Sequence, residues 1–176
     1  ESAAFRRLTV AQAMKQYANI DLDLLLDDRA AMAKVACEHG QTVSETDSWD
    51  DLFFKVFLTE VEPNLGWRDK AISLPAKRPT SEAAYCPTFL YNYPVSMAAL
   101  ARKDPKDPRY ALRTELYIGD LELANGFAEL CDSVEQRTRF EEEQHLRQSL
   151  GKDIWPIDER FIAALPGMGD AAGIAF

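Results

Sequence analysis

The chain has 176 residues, of which 47% are hydrophobic, and its formal net charge is −9 at pH 7. This length and composition predict one globular domain with a core of its own, and the negative charge argues against a segment that grips nucleic acid through phosphates. We find neither an apolar run of transmembrane length nor a signal peptide, and the three cysteines lack CxxC spacing, so we expect free thiols and a cytoplasmic protein that does not enter a membrane.

The first third of the chain has a helical pattern. Thr9 and Gln12 form a capping box that predicts a short helix ending near residue 18. Apolar residues at helical spacing predict a second helix over 22–38, and a capping box at Ser48 and Asp51 predicts a third over 49–61. The second helix is expected to bury Leu24, Leu25, Met32, Val35 and Ala36.

The middle of the chain reads as loop and strand. Residues 67–86 lack periodicity and predict a surface loop, and residues 88–93 read as a strand that Pro94 ends. A basic cluster follows, interleaved with aspartates and prolines, and it predicts a solvated loop or, alternatively, a contact with an acidic protein partner. Its members are Arg102, Lys103, Lys106, Arg109 and Arg113.

The last third of the chain alternates between strand and helix signals. Ser133 and Gln136 cap a charged helix predicted over 134–150, Asp158 starts a short helix that ends near residue 165, and residues 171–176 read as a strand. Strands from distant parts of the chain, most of them joined by helices, predict an α+β fold with an antiparallel sheet and flanking helices.

A predicted hairpin over residues 112–130 carries the polar residues that matter most. Gly119 and Asp120 suit a tight turn, which sets Tyr117 opposite Glu122 and residue 116 opposite residue 123. Glu115 and Glu122 then become diagonal neighbours, roughly 7–8 Å apart at Cα. This spacing suits two carboxylates that share an oxygen-loving cation such as Mg²⁺. Alternatively, both side chains are solvated on an open sheet face.

Asn125 and Glu129 share a face with each other, but in a perfect strand they lie opposite Glu122. A β-bulge between Leu123 and Gly126 would bring all four polar residues to one side, and bulges gather at active sites. We predict such a bulge. Glu129 would then lie in a half-buried pocket and need a cationic partner, for example an amine ligand.

The run ELYIGDLELANGFAELCDSVEQRTRFE resembles the region before motif 3 of class II lysyl-tRNA synthetases, and more closely that of their short paralogues, the elongation factor P lysyltransferases. PTFLYNYPVSMAALAR and GMGDAAGIAF resemble neighbouring segments of the same families. Ser96, Ala98 and Ala99 stand as in the paralogue, and Ala175 falls where the synthetases carry glycine.

The resemblance implies a class II synthetase-like core with a role for each polar residue. Glu115 would bind metal and ATP, with the backbone of Leu116 near the ribose, and Glu122 would contact the metal or the substrate amino group. Asn125 and Glu129 would recognise the lysine side chain. Ala175 would reshape the amino-acid pocket for a β-amino acid.

The implied organisation is a helical insertion lobe over 1–66, the loop over 67–86, and over 87–176 the C-terminal part of the catalytic core, truncated within motif 3. The resemblance implies that the intact protein, a homodimer, uses ATP and Mg²⁺ to activate lysine or β-lysine as an adenylate and transfers it to a lysine of elongation factor P. A fragment without motifs 1 and 2 is expected to be inactive alone. The alternatives are a class II lysyl-tRNA synthetase and a non-catalytic binding module.

Overall fold

The computed structural model describes residues 5–68, 85–98 and 100–176. Within these ranges the strands are β1 (Arg6–Thr9), β2 (Thr88–Pro94), β3 (Tyr110–Ile118), β4 (Leu121–Ala128) and β5 (Ala172–Ala175). The α-helices are α1 (Val10–Ala13), α2 (Arg29–Glu38), α3 (Trp49–Val56), α4 (Ser133–Ser149) and α5 (Glu159–Ala164). Short 3-10 or π-helical segments cover Met14–Ala18, Leu22–Leu24, Phe57–Val61, Glu62–Asn64, Val95–Met97 and Leu165–Met168.

The strands form one sheet in the order β1-β2-β3-β4-β5. β1 runs parallel to β2, and every other neighbouring pair is antiparallel. The predicted α+β fold with a mostly antiparallel sheet and flanking helices is therefore confirmed. In the described ranges, no helix combines the length and the apolar character that crossing a membrane requires.

Both capping boxes predicted from the sequence are present. The Thr9 hydroxyl accepts a hydrogen bond from the Gln12 amide at 3.0 Å, and the Gln12 side chain accepts one from the Thr9 amide at 2.9 Å. Ser48 and Asp51 exchange the corresponding bonds at 3.1 and 2.8 Å. Because each box satisfies two amides that have no partner within the helix, these short polar patterns fix where α1 and α3 begin.

The predicted helix over 22–38 is wrong in its first part. Leu22–Leu24 forms a 3-10 turn, and α2 begins only at Arg29. Asp27 has a left-handed backbone with φ +61°, and the Asp28 side chain accepts a hydrogen bond from the Ala31 amide as the N-cap. This break leaves Leu24 77% exposed, although the helical pattern predicted it to be buried.

Helix α4 differs from its prediction in a smaller way. It spans Ser133–Ser149, and its N-cap is Asp132, whose carboxylate accepts hydrogen bonds from the amides of Val134 and Glu135. The predicted cap at Ser133 is wrong by one residue, because an aspartate accepts both amide bonds at once. The last strand, predicted over 171–176, forms at Ala172–Ala175.

The N-terminal helices and the sheet share one hydrophobic core. Side chains of α1, α2 and α3 pack against β2 and β3 in a single buried cluster. The predicted lobe over 1–66 also contributes β1 to the sheet. The cluster includes Val10, Met14, Met32, Leu52, Phe53, Val56, Val61, Leu90, Tyr93 and Tyr117.

The tip of the β3–β4 hairpin docks against the end of the helical region. The Gly66 carbonyl accepts hydrogen bonds from the amides of Gly119 at 3.2 Å and Cys86 at 2.8 Å. The Trp67 indole donates to Asp120 at 3.2 Å and stacks on Tyr85, with 5.0 Å between ring centroids. Most of the predicted loop over 67–86 lies outside the described residues, and only these ends are seen.

Replacing Gly66 by alanine tests how tightly the hairpin tip docks. Gly66 has φ +78°, and a Cβ there would lie 2.4 Å from the Gly119 amide nitrogen. Gly40→Ala is a matched control, since Gly40 has φ +74° with nothing within 4 Å of a Cβ. We expect Gly40→Ala to cost about 1–2 kcal/mol of unfolding free energy. Gly66→Ala should cost about 1–3 kcal/mol more, because overpacking is added to backbone strain. Equal losses in urea denaturation would show that the contact is loose.

Candidate functional site

The hairpin register brings the predicted polar residues together. Tyr117 pairs with Glu122 as predicted, but Leu116 pairs with Ala124, so the predicted pairing with Leu123 is wrong. The extra residue that shifts the register is Leu123, which places the predicted bulge at the start of the expected interval. Beyond the bulge, Asn125 pairs with Glu115.

The same register shows which side chains share a face of the sheet. Glu122 and Asn125 pair with residues of β3 that alternate on one face, Tyr117 and Glu115. Glu129 follows Asn125 by four positions and so continues on that face. The bulge therefore does what the polar pattern required: Glu115, Glu122, Asn125 and Glu129 lie on one side of the sheet.

A second bulge lies where β2 pairs with β3. Tyr91 pairs with Thr114, but Tyr93 pairs with Ala111, so two residues of β3 lie opposite the single residue Asn92. The backbone of Asn92 is left-handed, with φ +58°. In an unbroken strand Tyr93 would share a face with Tyr91. The shift turns the Tyr93 side chain to the face of Glu115.

Glu115 is the centre of the site. Only 4% of the residue is exposed, so its carboxylate depends on protein donors. One oxygen, Oε2, accepts from the hydroxyls of Tyr93 and Tyr117, the latter at 2.6 Å. The other, Oε1, accepts from Arg113 Nη2 at 2.6 Å and Asn125 Nδ2 at 3.0 Å. The open-face alternative is wrong for this residue.

Arg113 is a site residue that the sequence analysis placed wrongly. Its guanidinium lies over the Tyr93 ring at 4.6 Å, donates to the Met97 carbonyl at 3.0 Å and pairs with Glu115. We assigned it to a solvated basic loop, whereas it lies in β3 and its side chain is only 18% exposed. The signal that could have found it is the two-residue spacing to Glu115, which puts both side chains on one face of a strand.

The two tyrosines remain neutral donors. Burial, followed by the neighbouring hydroxyl and the charge of Glu115, raises the pKa of Tyr93 well above its ordinary value. Burial and the Glu115 carboxylate likewise raise the pKa of Tyr117. Each phenol therefore stays protonated and donates a hydrogen bond to the Glu115 carboxylate. Hydrogen bonds to a charged acceptor are stronger than those between neutral groups.

Glu122 and Glu62 add negative charge beside Glu115. Glu122 is exposed and accepts a hydrogen bond from Asn125 Nδ2 at 3.1 Å. Partial burial of its carboxylate and the charge of Glu115 raise its pKa. Glu62, at the start of the Glu62–Asn64 turn, also has a raised pKa, through burial and the charges of Glu115 and Glu122. The sequence analysis missed Glu62, because only the fold brings it to the hairpin.

This charge suits a cation but does not enclose one. Among the described residues, no group of three or more carboxylate, histidine or cysteine side chains is arranged to hold a metal ion. Glu115 and Glu122 offer two carboxylates, which fits Mg²⁺, since Mg²⁺ is usually held by one or two carboxylates together with waters and substrate phosphates.

Glu129 lies at the other end of the same face, beside β5. It is half-buried, and its Oε1 would be 2.5 Å from a Cβ at Gly173, so a side chain there would displace the carboxylate. The described parts of the chain place no cationic side chain in an ion pair with Glu129. Ala175, on β5, pairs with Asn125. Gly173 is a further residue that the sequence analysis did not single out.

Known proteins are similar to this chain over most of its length. A family model of tRNA synthetases class II (D, K and N) matches residues 1–176. The chain belongs to this family. It is 36% identical over 175 residues to an elongation factor P–(R)-β-lysine ligase of Proteus mirabilis, covering 98% of this chain and 48% of that protein. The resemblance inferred from the hairpin is confirmed.

Other relatives give the same result. Proteins with the same name from Sodalis glossinidius and Haemophilus influenzae are each 38% identical, over 89% of this chain and over 44% and 43% of those proteins. The chain thus spans about half the length of the curated relatives it matches.

The raised pKa values of Glu62 and Glu122 predict how stability changes with pH. Their folded pKa lies above the ordinary value of 4.5, so the folded state binds these protons more tightly than the unfolded chain does. The free energy of unfolding should therefore fall as the pH rises from 4.5 through the folded values. The hydrogen bond with Lys55 lowers the pKa of Asp47, so this group changes the stability only at pH values below its ordinary pKa. That pH interval is separate from the one in which Glu62 and Glu122 titrate.

Denaturation at a series of pH values checks this prediction. We expect Glu62→Gln and Glu122→Gln each to reduce the fall above pH 4.5, because the amide does not titrate. Glu141→Gln, at an exposed position of α4, serves as the control and should leave the profile unchanged. An unchanged profile in all three variants would mean that the carboxylates do not interact as described.

Proposed function

We propose that the protein containing this chain is an ATP-dependent ligase that activates a lysine-like amino acid, β-lysine, as its adenylate and transfers it to a lysine of elongation factor P. The names of the relatives support the substrate and the acceptor. Membership in a class II synthetase family supports ATP and Mg²⁺ as co-substrate and cofactor. The intact protein would be a homodimer in the cytoplasm, and free Cys37, Cys86 and Cys131 suit such a reducing compartment.

The first step joins the amino acid to AMP. The substrate carboxylate attacks the α-phosphate of ATP in line and pyrophosphate leaves, so positioning and charge neutralisation supply the catalysis. Glu115 and Glu122 would hold Mg²⁺, which supplies positive charge to the phosphates when bound. The backbone of Leu116 would lie near the ribose. In the second step the acceptor amine attacks the adenylate carbonyl and AMP leaves.

Recognition of the substrate amine is assigned to Asn125 and Glu129. The observation that carries the proposal is a half-buried Glu129 carboxylate on the same face as Asn125, without a cationic partner in the described parts of the chain. The Asn125 Oδ1 atom is buried without a hydrogen-bond partner. A substrate ammonium would satisfy both groups, and a substrate without it would leave them unpaired. Ala175, paired with Asn125, would add a methyl group to the pocket.

The reaction can be tested by weighing the acceptor. The full-length protein is incubated with ATP, Mg²⁺, elongation factor P and either α- or β-lysine, and the factor is then examined by intact-mass spectrometry. We expect a lysyl-sized increase that is larger with β-lysine. No increase together with charging of tRNA would favour the lysyl-tRNA synthetase, which the same family includes. Neither product would favour a binding module.

Glu129→Gln tests the assigned recognition of the amine. Losing one partner of a buried charge pair costs about 3–5 kcal/mol, so we expect amino-acid-dependent pyrophosphate exchange to fall about 100-fold or more. The unfolding free energy should change little, because Glu129 makes no ion pair with the described residues. Glu141→Gln is the control for removing one carboxylate. Undiminished exchange in Glu129→Gln would contradict the role.

Gly173→Ala tests the Glu129 carboxylate by displacing it. A Cβ at Gly173 would lie 2.5 Å from Glu129 Oε1 and would push the carboxylate aside. We expect the KM for lysine in pyrophosphate exchange to rise while the KM for ATP changes little, because the displaced group binds only the amino acid. Equal changes in both KM values would indicate a general disturbance of the sheet edge.

A further inference from the structure

Asn125 occupies the space between the two carboxylates assigned to the metal. Its Nδ2 donates to Glu115 Oε1 at 3.0 Å and to Glu122 Oε1 at 3.1 Å, so one amide group bridges both acids. Its Oδ1 is buried and accepts no hydrogen bond. We call the two hydrogen bonds from Nδ2 the Asn125 bridge.

The Asn125 bridge competes directly with a cation. An amide NH₂ carries partial positive charge and donates two hydrogens, one to each acid. Mg²⁺ binds oxygens at about 2.0–2.1 Å, much closer than the amide nitrogen lies. A divalent cation held by the Glu115 and Glu122 carboxylates would therefore take the place of the amide hydrogens, and its charge would repel them.

Asn125 is also the donor to Glu115 that can leave most easily. Tyr93 and Tyr117 are only 1% and 3% exposed. Arg113 is held by its stacking on Tyr93 and its hydrogen bond to the Met97 carbonyl. Asn125 is only half-buried, and its Oδ1 has no partner to lose when the side chain turns. Rotation of the side-chain amide would allow Oδ1 to accept a hydrogen bond.

We propose that Asn125 couples divalent-cation binding to recognition of the substrate amine: a cation seated between Glu115 and Glu122 breaks the Asn125 bridge, and the released side chain presents Oδ1 to the ammonium. This inference rests on the proposed function. Beyond that function, it states that the cation and the amine each favour binding of the other and that Asn125 transmits this coupling. By linkage, Mg²⁺ tightens lysine binding by the same factor by which lysine tightens Mg²⁺ binding.

The coupling is measured by calorimetric titration of the full-length protein without ATP. Lysine and β-lysine are titrated into protein in EDTA and into protein with saturating Mg²⁺, and Mg²⁺ is titrated alone. For the natural protein we expect Mg²⁺ to lower the Kd of the preferred amine about 5-fold or more. For Asn125→Ala we expect that ratio to fall to about one, although the variant binds the amine less well.

A second measurement separates this role from a structural one. Because the Asn125 bridge competes with the cation, Asn125→Ala should bind Mg²⁺ alone at least as tightly as the natural protein, whereas a merely damaged site would bind it more weakly. Glu122→Gln should weaken Mg²⁺ binding. Gln148→Ala, at an exposed position of α4, is the control and should behave as the natural protein does.

The possible results distinguish the inference from the proposed function. An unchanged coupling ratio in Asn125→Ala, weaker Mg²⁺ binding by that variant, or no effect of Mg²⁺ on the natural protein would each overturn the inference. In each of these three cases, binding of lysine or β-lysine would still support the proposed function. If neither lysine nor β-lysine binds with or without Mg²⁺, the proposed function fails and the inference fails with it.

Discussion

The buried carboxylate of Glu115 is the constraint on which the rest of the site depends. A charge that is 4% exposed needs compensation, and its four donors come from three neighbouring strands. Each donor has a second fixed contact or a shared acceptor, so the carboxylate orders β2, β3 and β4 relative to one another. The hydroxyls of Tyr93 and Tyr117 and the guanidinium of Arg113 are therefore held in place by contacts within the chain.

The helical region contributes Glu62 to the site. Gly66 accepts a hydrogen bond from Gly119 at the hairpin tip, one turn of chain after Glu62. The same docking that positions the hairpin therefore brings a third carboxylate near Glu115 and Glu122. Because the helices and the sheet also share one core, a change in the packing of α3 would alter the electrostatics of the site and not only the stability of the domain.

The sequence predicted what local chemistry decides. The capping boxes at Thr9 and Ser48 and the turn at Gly119 depend on residues within four positions, and each was found. Long-range packing decided the rest. The left-handed Asp27 interrupted the predicted helix, so that α2 begins only at Arg29, and Glu62 joined the site only through the fold. Arg113 pairs with Glu115 in its own strand, but its contacts with the Tyr93 ring and the Met97 carbonyl depend on packing between elements.

Because of the two bulges, the number of residues in the strands decides which side chains face Glu115. Leu123 is one extra position in β4, and in β3 the two residues Leu112 and Arg113 lie opposite the single residue Asn92 of β2. These two shifts put Asn125 and Tyr93 on the face of Glu115. Deleting Leu123 would turn the Asn125 side chain to the opposite face of the sheet without changing the residue itself. Exchanges of side chains on the outer face leave the register unchanged, whereas a single insertion or deletion in these strands would shift it. Divergence within the hairpin is thus expected to proceed by replacement at constant length.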